Sequence, residues 1–142
     1  MKERSGHQVA WLIVNFSTVP VWLAMILAPR SAATRWMADR LPPLYAALGV
    51  AYTGALAAGV AKSSEPPDFG RLEKVQELLQ DPSSMLAAWT HYIAFDLFVG
   101  RWIWETSLED GRPARLSLLL TWWAGPLGLT LFLARRRTDR AG

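Results

Sequence analysis

Apolar residues gather in four blocks, at 9–28, 44–61, 85–104 and 116–134, and most charged residues fall between them. Each block is close to the ~20 residues that carry a helix across ~30 Å of hydrocarbon. A soluble bundle would show a polar stripe at helical spacing along each helix. The first, second and fourth blocks have none. The pattern predicts an all-α polytopic membrane protein: one domain over residues 1–142, a bundle of four transmembrane helices. No repeat, low-complexity tract or second domain interrupts it.

The connections sharpen this picture. In "PRSAATRWMADRLPP", Trp36, Met37 and Leu41 can share one face of an interfacial turn, with Arg35 and Arg40 among headgroups. Pro42 and Pro43 then open the second span, where a missing N–H costs least. The second connection is long. "KSSEPP" reads as a hinge, and "DFGRLEKVQELLQ" places Phe69, Leu72, Val75 and Leu79 at helical spacing, a short amphipathic helix. Its "DFG" triplet has no glycine loop or catalytic loop beside it, so it is no kinase signature. Asp81-Pro82 supplies an N-cap and an N1 proline for the third span. Ala51, Ala55 and Gly59 recur every four residues as a small-residue packing face. Pro20 and Pro126 fall inside the first and fourth blocks and should kink them, and freed carbonyls there must find donors within the protein.

Charge sets the expected orientation. With four spans, Lys2, Arg4, Lys62, Arg71, Lys74, Arg135, Arg136, Arg137 and Arg140 share one side. Arg30, Arg35, Arg40, Arg112 and Arg115 take the other, with Arg101 near the membrane edge. The bias places both termini in the cytoplasm. The net charge of +3 is explained by these flanks, so no nucleic-acid partner is expected. The first block is long for a signal-peptide core, and Pro29 and Arg30 sit awkwardly at a cleavage site; an uncleaved span is expected. The chain has no cysteine, which excludes disulfides, thiolate metal sites and cysteine nucleophiles.

Candidate chemistry sits in the third block, "HYIAFDLFVGRWIWE", where His91, Asp96 and Arg101 are spaced by five twice. Five residues advance ~7.5 Å and turn ~140°, so the three form a spiral ladder and cannot act on one atom. No single face carries them, and the third helix is expected to be enclosed by protein on several sides. A packing role is open to His91, and Arg101 can snorkel to the interface and pair with Glu105 at i+4. Asp96 is harder to dismiss. A carboxylate near mid-bilayer costs ~2.5–3.5 kcal/mol on insertion scales, and such groups mark function by default. Matching depths at ~1.5 Å per residue puts Asn15 level with His91, and Tyr52, Thr53, Trp122 and Trp123 level with Asp96. These residues, with Tyr92, are the candidate walls of a cavity for an apolar ligand. Metal and cofactor are not expected.

"WTHYIAFDLFVGRWI" in the third block and "GPLGLTLF" in the fourth resemble the abscisic-acid-deficient-4-like family. The resemblance covers nearly the whole chain, including the "NFSTVPVW" break, the long second loop and the basic residues after the last block. It implies a neoxanthin-synthase-like membrane protein that isomerises a carotenoid-like isoprenoid, opening an epoxide and forming an allene. The chain has no plastid transit peptide and an Ala/Arg-rich bacterial look, so a bacterial inner-membrane member is expected. Epoxide opening wants an acid at oxygen and allene formation a base at the neighbouring carbon. Asp96 and His91 suit those roles in either order, and Arg101 can bind a ring hydroxyl or hold Asp96 ionised. The alternative is a non-catalytic protein that binds pigment or partners a carotenoid enzyme. Membrane lipid, the apolar ligand and further copies of the chain are the expected partners.

Overall fold

The structure, a computed structural model, describes residues 5–141, with side chains described through residue 138. Lys2, Arg4 and the side chain of Arg140, which entered the charge argument, lie outside the described residues. The chain forms α1 (Gly6–Ser17), α2 (Val19–Leu27), α3 (Ala32–Asp39) and α4 (Leu41–Lys62). There follow α5 (Leu72–Gln80), α6 (Pro82–Glu109), α7 (Arg115–Ala124) and α8 (Pro126–Ala141). No strand forms among the described residues. Two helical runs, Gly6–Leu27 and Leu41–Lys62, are long and apolar enough to cross a membrane. The first is interrupted at Thr18, and Pro20 lies in the first turn of α2, where a proline is best tolerated. The helices fall into two compact units, one of residues 5–17 and 42–94, the other of residues 18–41 and 95–141.

The core of the first unit is Val14, Leu48 and Leu86, with Trp11, Ala55 and Ile93 packed around them. Ala55 and Gly59 belong to the inner face of α4, while Ala51 is exposed. A Cβ at Gly59 would collide with Ser84 Oγ, so the missing side chain is what lets α6 approach α4 there. The Asp81 carboxylate accepts from the amides of Ser83 (2.8 Å) and Ser84 (2.9 Å). It thereby satisfies two of the four orphan donors at the start of α6. Lys62 Nζ lies 3.2 Å from the same carboxylate and donates to Ser83 Oγ, to which the His7 ring also bonds at 2.9 Å. The helix expected in the second connection is present but begins at Leu72, so Phe69 lies outside it and is 73% exposed. None of its residues is buried; Leu72 and Leu79 stay open.

In the second unit α2 packs against α3 and α7, and α7 against α8. The turn expected around Trp36 is a true helix. Ser31 caps it, accepting from Thr34 N at 3.0 Å. Thr34 Oγ1 donates to the carbonyls of Ala28 (2.7 Å) and Ala24 (3.2 Å), tying α3 to the end of α2. Arg40 stacks over the Trp36 ring at 3.9 Å. Trp22, Met25, Leu97, Ile103 and Leu118 form the buried apolar centre. A Cβ at Gly100 would run into the six-membered ring of Trp22, so the indole seats directly on the α6 backbone.

Two expectations are corrected. The fourth block is not one span. Gly125 adopts φ +26°, Pro126 cannot continue the ladder of α7, and α8 returns along α7. A Cβ on Gly128 would strike Thr121 and the Ser117 carbonyl, and Arg136 reaches Asp110 at 2.7 Å, contacts a straight helix could not make. At ~1.5 Å per residue α7 extends only ~15 Å, about half a bilayer. Nor is α6 enclosed. Tyr92 (61%), Phe95 (60%) and Phe98 (61%) are exposed, and His91 is exposed with them.

Two measurements follow. The natural chain lacks cysteine, so single cysteines are clean probes. Pro113→Cys and Thr138→Cys should react with a membrane-impermeant maleimide from the same side of a vesicle; labelling from opposite sides would contradict the hairpin. The amide of Ser84 and then the Lys62 ammonium hold the Asp81 carboxyl below the ordinary aspartate value of 3.8. A lowered folded value means the cap stabilises fully above the ordinary value and is lost as pH falls through the lowered one. Asp81→Asn, which still caps, should therefore flatten the acid limb of thermal unfolding, and Asp81→Ala should cost about 1 kcal/mol at neutral pH.

Candidate functional site

The polar residues of α6 have different surroundings. In the first unit the His91 ring lies 5.9 Å from Tyr52, tilted by 47°, and 6.1 Å from Tyr92, edge-on at 81°. This brings together three of the residues singled out by sequence. Tyr52 is supplied by α4; residue counting puts it level with Asp96, and in the structure it meets His91 instead. Asn15 serves a neighbouring cluster. Its amide donates to the Trp11 carbonyl at 2.7 Å, and its Oδ1 accepts from Trp89 Nε1 at 3.1 Å. Trp11 and Trp89 stack with centroids 5.1 Å apart. A half-buried indole in an apolar stretch still seeks a hydrogen-bond acceptor, and Asn15 is that acceptor. Trp89 was the missed residue. The signal available was a tryptophan inside the third apolar block, two positions before His91.

In the second unit Asp96 faces the break between α7 and α8. A Cβ placed on Gly125 would stand 2.6 Å from Asp96 Oδ1 and 3.3 Å from Oδ2, so the carboxyl occupies the space a side chain would fill. Among the described residues no hydrogen bond or ion pair to the Asp96 side chain is formed. Gly125 N donates to Thr121 O at 2.9 Å, closing α7. Gly125 O accepts from Gly128 N at 3.2 Å, opening α8. The carboxyl thus lies where one helix ends and another begins, beside the end of α8 that carries positive partial charge. Gly125 was not singled out by sequence, although "AGP" between apolar runs is a break signal.

The other candidates have contacts or exposures of their own. Arg101 Nε donates to Glu105 Oε1 at 2.8 Å, the i+4 pair that is its structural alternative. Trp122 stacks on Trp22 at 6.1 Å and 12°, part of the packing around Gly100. Trp123 points outward and is 81% exposed. Trp104, also buried, donates to the Pro29 carbonyl at 2.9 Å. Chemically, the arrangement offers one carboxyl free of competing partners and one exposed imidazole with two phenols nearby. Both are proton-transfer groups; neither belongs to a cluster of three metal-binding side chains among the described residues.

Comparison with known proteins bears on these residues. A family model described as ABA DEFICIENT 4-like matches residues 9–132, which include every candidate above. The chain is 23% identical over 145 aligned positions to the Arabidopsis thaliana protein named "Protein ABA DEFICIENT 4, chloroplastic". The alignment covers 90% of this chain and 66% of that relative, so the chain spans just under two thirds of its length. No solved structure matches the chain.

The Asp96–Gly125 contact can be tested by glycine substitution. In an exposed helix interior Gly→Ala gains about 1 kcal/mol, and Gly54 in α4 has open space around its missing Cβ. Gly54→Ala should raise the thermal unfolding midpoint in detergent. Gly125→Ala should lower it, by a cost of about 1–3 kcal/mol, because the new methyl meets Asp96 in a positive-φ conformation. Equal effects of the two substitutions would contradict the packing described.

Proposed function

The chain belongs to the ABA DEFICIENT 4-like family, and on that footing we propose that it is an integral membrane isomerase of a carotenoid-like isoprenoid. The observation that carries this reading is the placement of Asp96. A carboxyl in an apolar helix, seated against a glycine at a helix break and unbonded among the described residues, is a group kept available for substrate. The reaction is an acid–base isomerisation. A proton is delivered to an epoxide oxygen, the C–O bond opens, and a proton leaves the neighbouring carbon as the allene forms. Atoms and electrons balance without a redox partner. Asp96 donates or accepts one of these protons, and the His91 imidazole, in the first unit, is the other proton-transfer candidate. Tyr52 and Tyr92 flank the imidazole and supply phenolic hydroxyls to a polar end group. Arg101, paired with Glu105, is assigned to interfacial anchoring rather than chemistry.

The membrane assignment rests on the two long apolar runs and on the apolar character of the α7–α8 hairpin. In this reading the hairpin enters the bilayer and returns, a form of irregular backbone tolerated where protein covers it. The bacterial inner membrane is the compartment proposed.

A second reading, pigment binding without turnover, has its own support in the exposed Phe95 and Phe98 on α6. A polyene lies well along such an aromatic face. One experiment separates the two. Purified protein in lipid nanodiscs is given an epoxy-carotenoid, and product is followed by chromatography and absorption. The isomerase reading expects turnover that Asp96→Asn lowers by about 10²–10⁴-fold, the usual worth of a general acid or base. A retained carotenoid band with no product, in wild type and Asp96→Asn alike, establishes the binder.

A further inference from the structure

The start of α6 carries a hydroxyl that the proposed isomerisation does not use, and all its partners lie in the first unit. Ser83 is 2% exposed, and among the described residues its Oγ makes two bonds. Lys62 Nζ, at the end of α4, donates to it at 3.1 Å. The His7 ring, in the first turn of α1, meets it through Nε2 at 2.9 Å. One oxygen thus joins three helices that are far apart in sequence.

Counting protons decides which way the His7 bond runs. A serine hydroxyl has one hydrogen to give and two lone pairs. An ammonium only donates, so Lys62 takes one lone pair. If His7 Nε2 carried a hydrogen it would take the second, and the Ser83 hydrogen would be left without an acceptor in a buried position. Such a group is costly. The inventory closes when Nε2 is the bare nitrogen: Ser83 donates to it, and the imidazole is neutral with its proton on Nδ1. An imidazolium has a hydrogen on both nitrogens and cannot accept at all.

Charge acts in the same direction. The charged groups gathered around Ser83 are the Lys62 ammonium and the Asp81 carboxylate, which balance while His7 is neutral. A second cation on the same oxygen leaves excess positive charge beside the positive end of α6. Asp81 is already engaged. Lys62 holds its Oδ1 at 3.2 Å, the amides of Ser83 and Ser84 hold its Oδ2, and among the described residues His7 makes no bond to it. The Ser84 amide and Lys62 keep its carboxyl low, so it stays ionised where imidazoles titrate. The His7 ring is exposed, so protons reach it without unfolding.

We propose that His7, Ser83 and Lys62 form a pH-sensitive fastening: neutral His7 holds the start of α1 to the start of α6, and protonation releases it. The bond is made by the deprotonated ring, so it is present at higher pH and lost as pH falls. Release is local. The Trp11–Trp89 stack and the Asn15 bond, one and two turns farther along α1, stay in place.

Spin-label mobility of the protein in nanodiscs tests this. Val9 is 44% exposed and lies ~200° around the helix from His7, so a label on Val9→Cys reports on the first turn without touching the bond. Imidazole changes charge between about pH 8 and about pH 5. Over that range the mobile component of the labelled parent should grow about two- to tenfold, the worth of one hydrogen bond. His7→Gln presents an amide oxygen close to where Nε2 stood and does not titrate, so it should stay in the less mobile state throughout. Ser83→Ala keeps the amide bonded to Asp81 and should be mobile throughout. That set of results supports the fastening. No change in the parent overturns it, since the imidazolium has then kept its place or moved to Asp81. So does an equal change in His7→Gln, which puts the titrating group elsewhere, or a full pH response that survives Ser83→Ala.

Discussion

The reversal of the chain at Gly125–Pro126 is the constraint on which the second unit depends. Proline removes the amide that would continue α7 and clashes with the preceding turn. Glycine alone accepts the positive φ that the reversal requires without a steric penalty. The consequences are local and specific. Thr121 and Gly128 close on one another, Phe132 reaches Trp102, and Arg136 reaches Asp110. The side chain that Gly125 lacks leaves the volume into which the Asp96 carboxyl fits. A bend that began as a backbone necessity thus determines what surrounds the most expensive polar group in the third apolar block.

Polar groups in these helices divide by whether the fold has already used them. Asn15 is consumed by Trp11 and Trp89, Thr34 by the end of α2, Trp104 by Pro29, and Arg101 by Glu105. Each such bond removes a desolvation cost, and each leaves its residue with little to offer a substrate. Asp96 stands apart because among the described residues no bond absorbs it. Chemistry is therefore assigned to a group the fold has left available, and a group's mere presence in an apolar helix is not enough. Arg101 shows why: it shares the ladder with Asp96, and the neighbour one turn away that the sequence offered as its alternative partner is bonded to it.

Much of the helical framework was legible in the sequence because its signals are short-range. The apolar runs, the Asp81-Pro82 start of α6, the interruption before Pro20 and the small-residue face through Ala55 and Gly59 all follow from residues within a turn or two. The hairpin was not legible as such. "AGP" announces a break, but whether the second helix continues or folds back depends on contacts from Gly128, Phe132 and Arg136, up to thirty positions from their partners. The same is true of Trp89, whose acceptor Asn15 is 74 residues away in the chain. Ladder geometry gives His91, Asp96 and Arg101 separate surroundings, as the structure has them. It also led to the expectation of an enclosed α6, because it treated every polar direction as needing a protein partner, and the exposed Tyr92, Phe95 and Phe98 show otherwise. Family membership was visible in one long, compositionally unusual string of α6.

The reversal at Gly125 can be measured as a distance. Leu116 and Leu133 are both exposed, at 46% and 45%, and accept spin labels on a chain without native cysteine. A single straight helix through this region would hold the two backbones about 26 Å apart, seventeen residues at ~1.5 Å each. Pulsed dipolar spectroscopy in nanodiscs should instead return a distribution centred well below that value, because Ser117 and Phe132 border the same cleft. A distribution centred at the straight-helix distance would contradict the hairpin, and with it the seat described for Asp96.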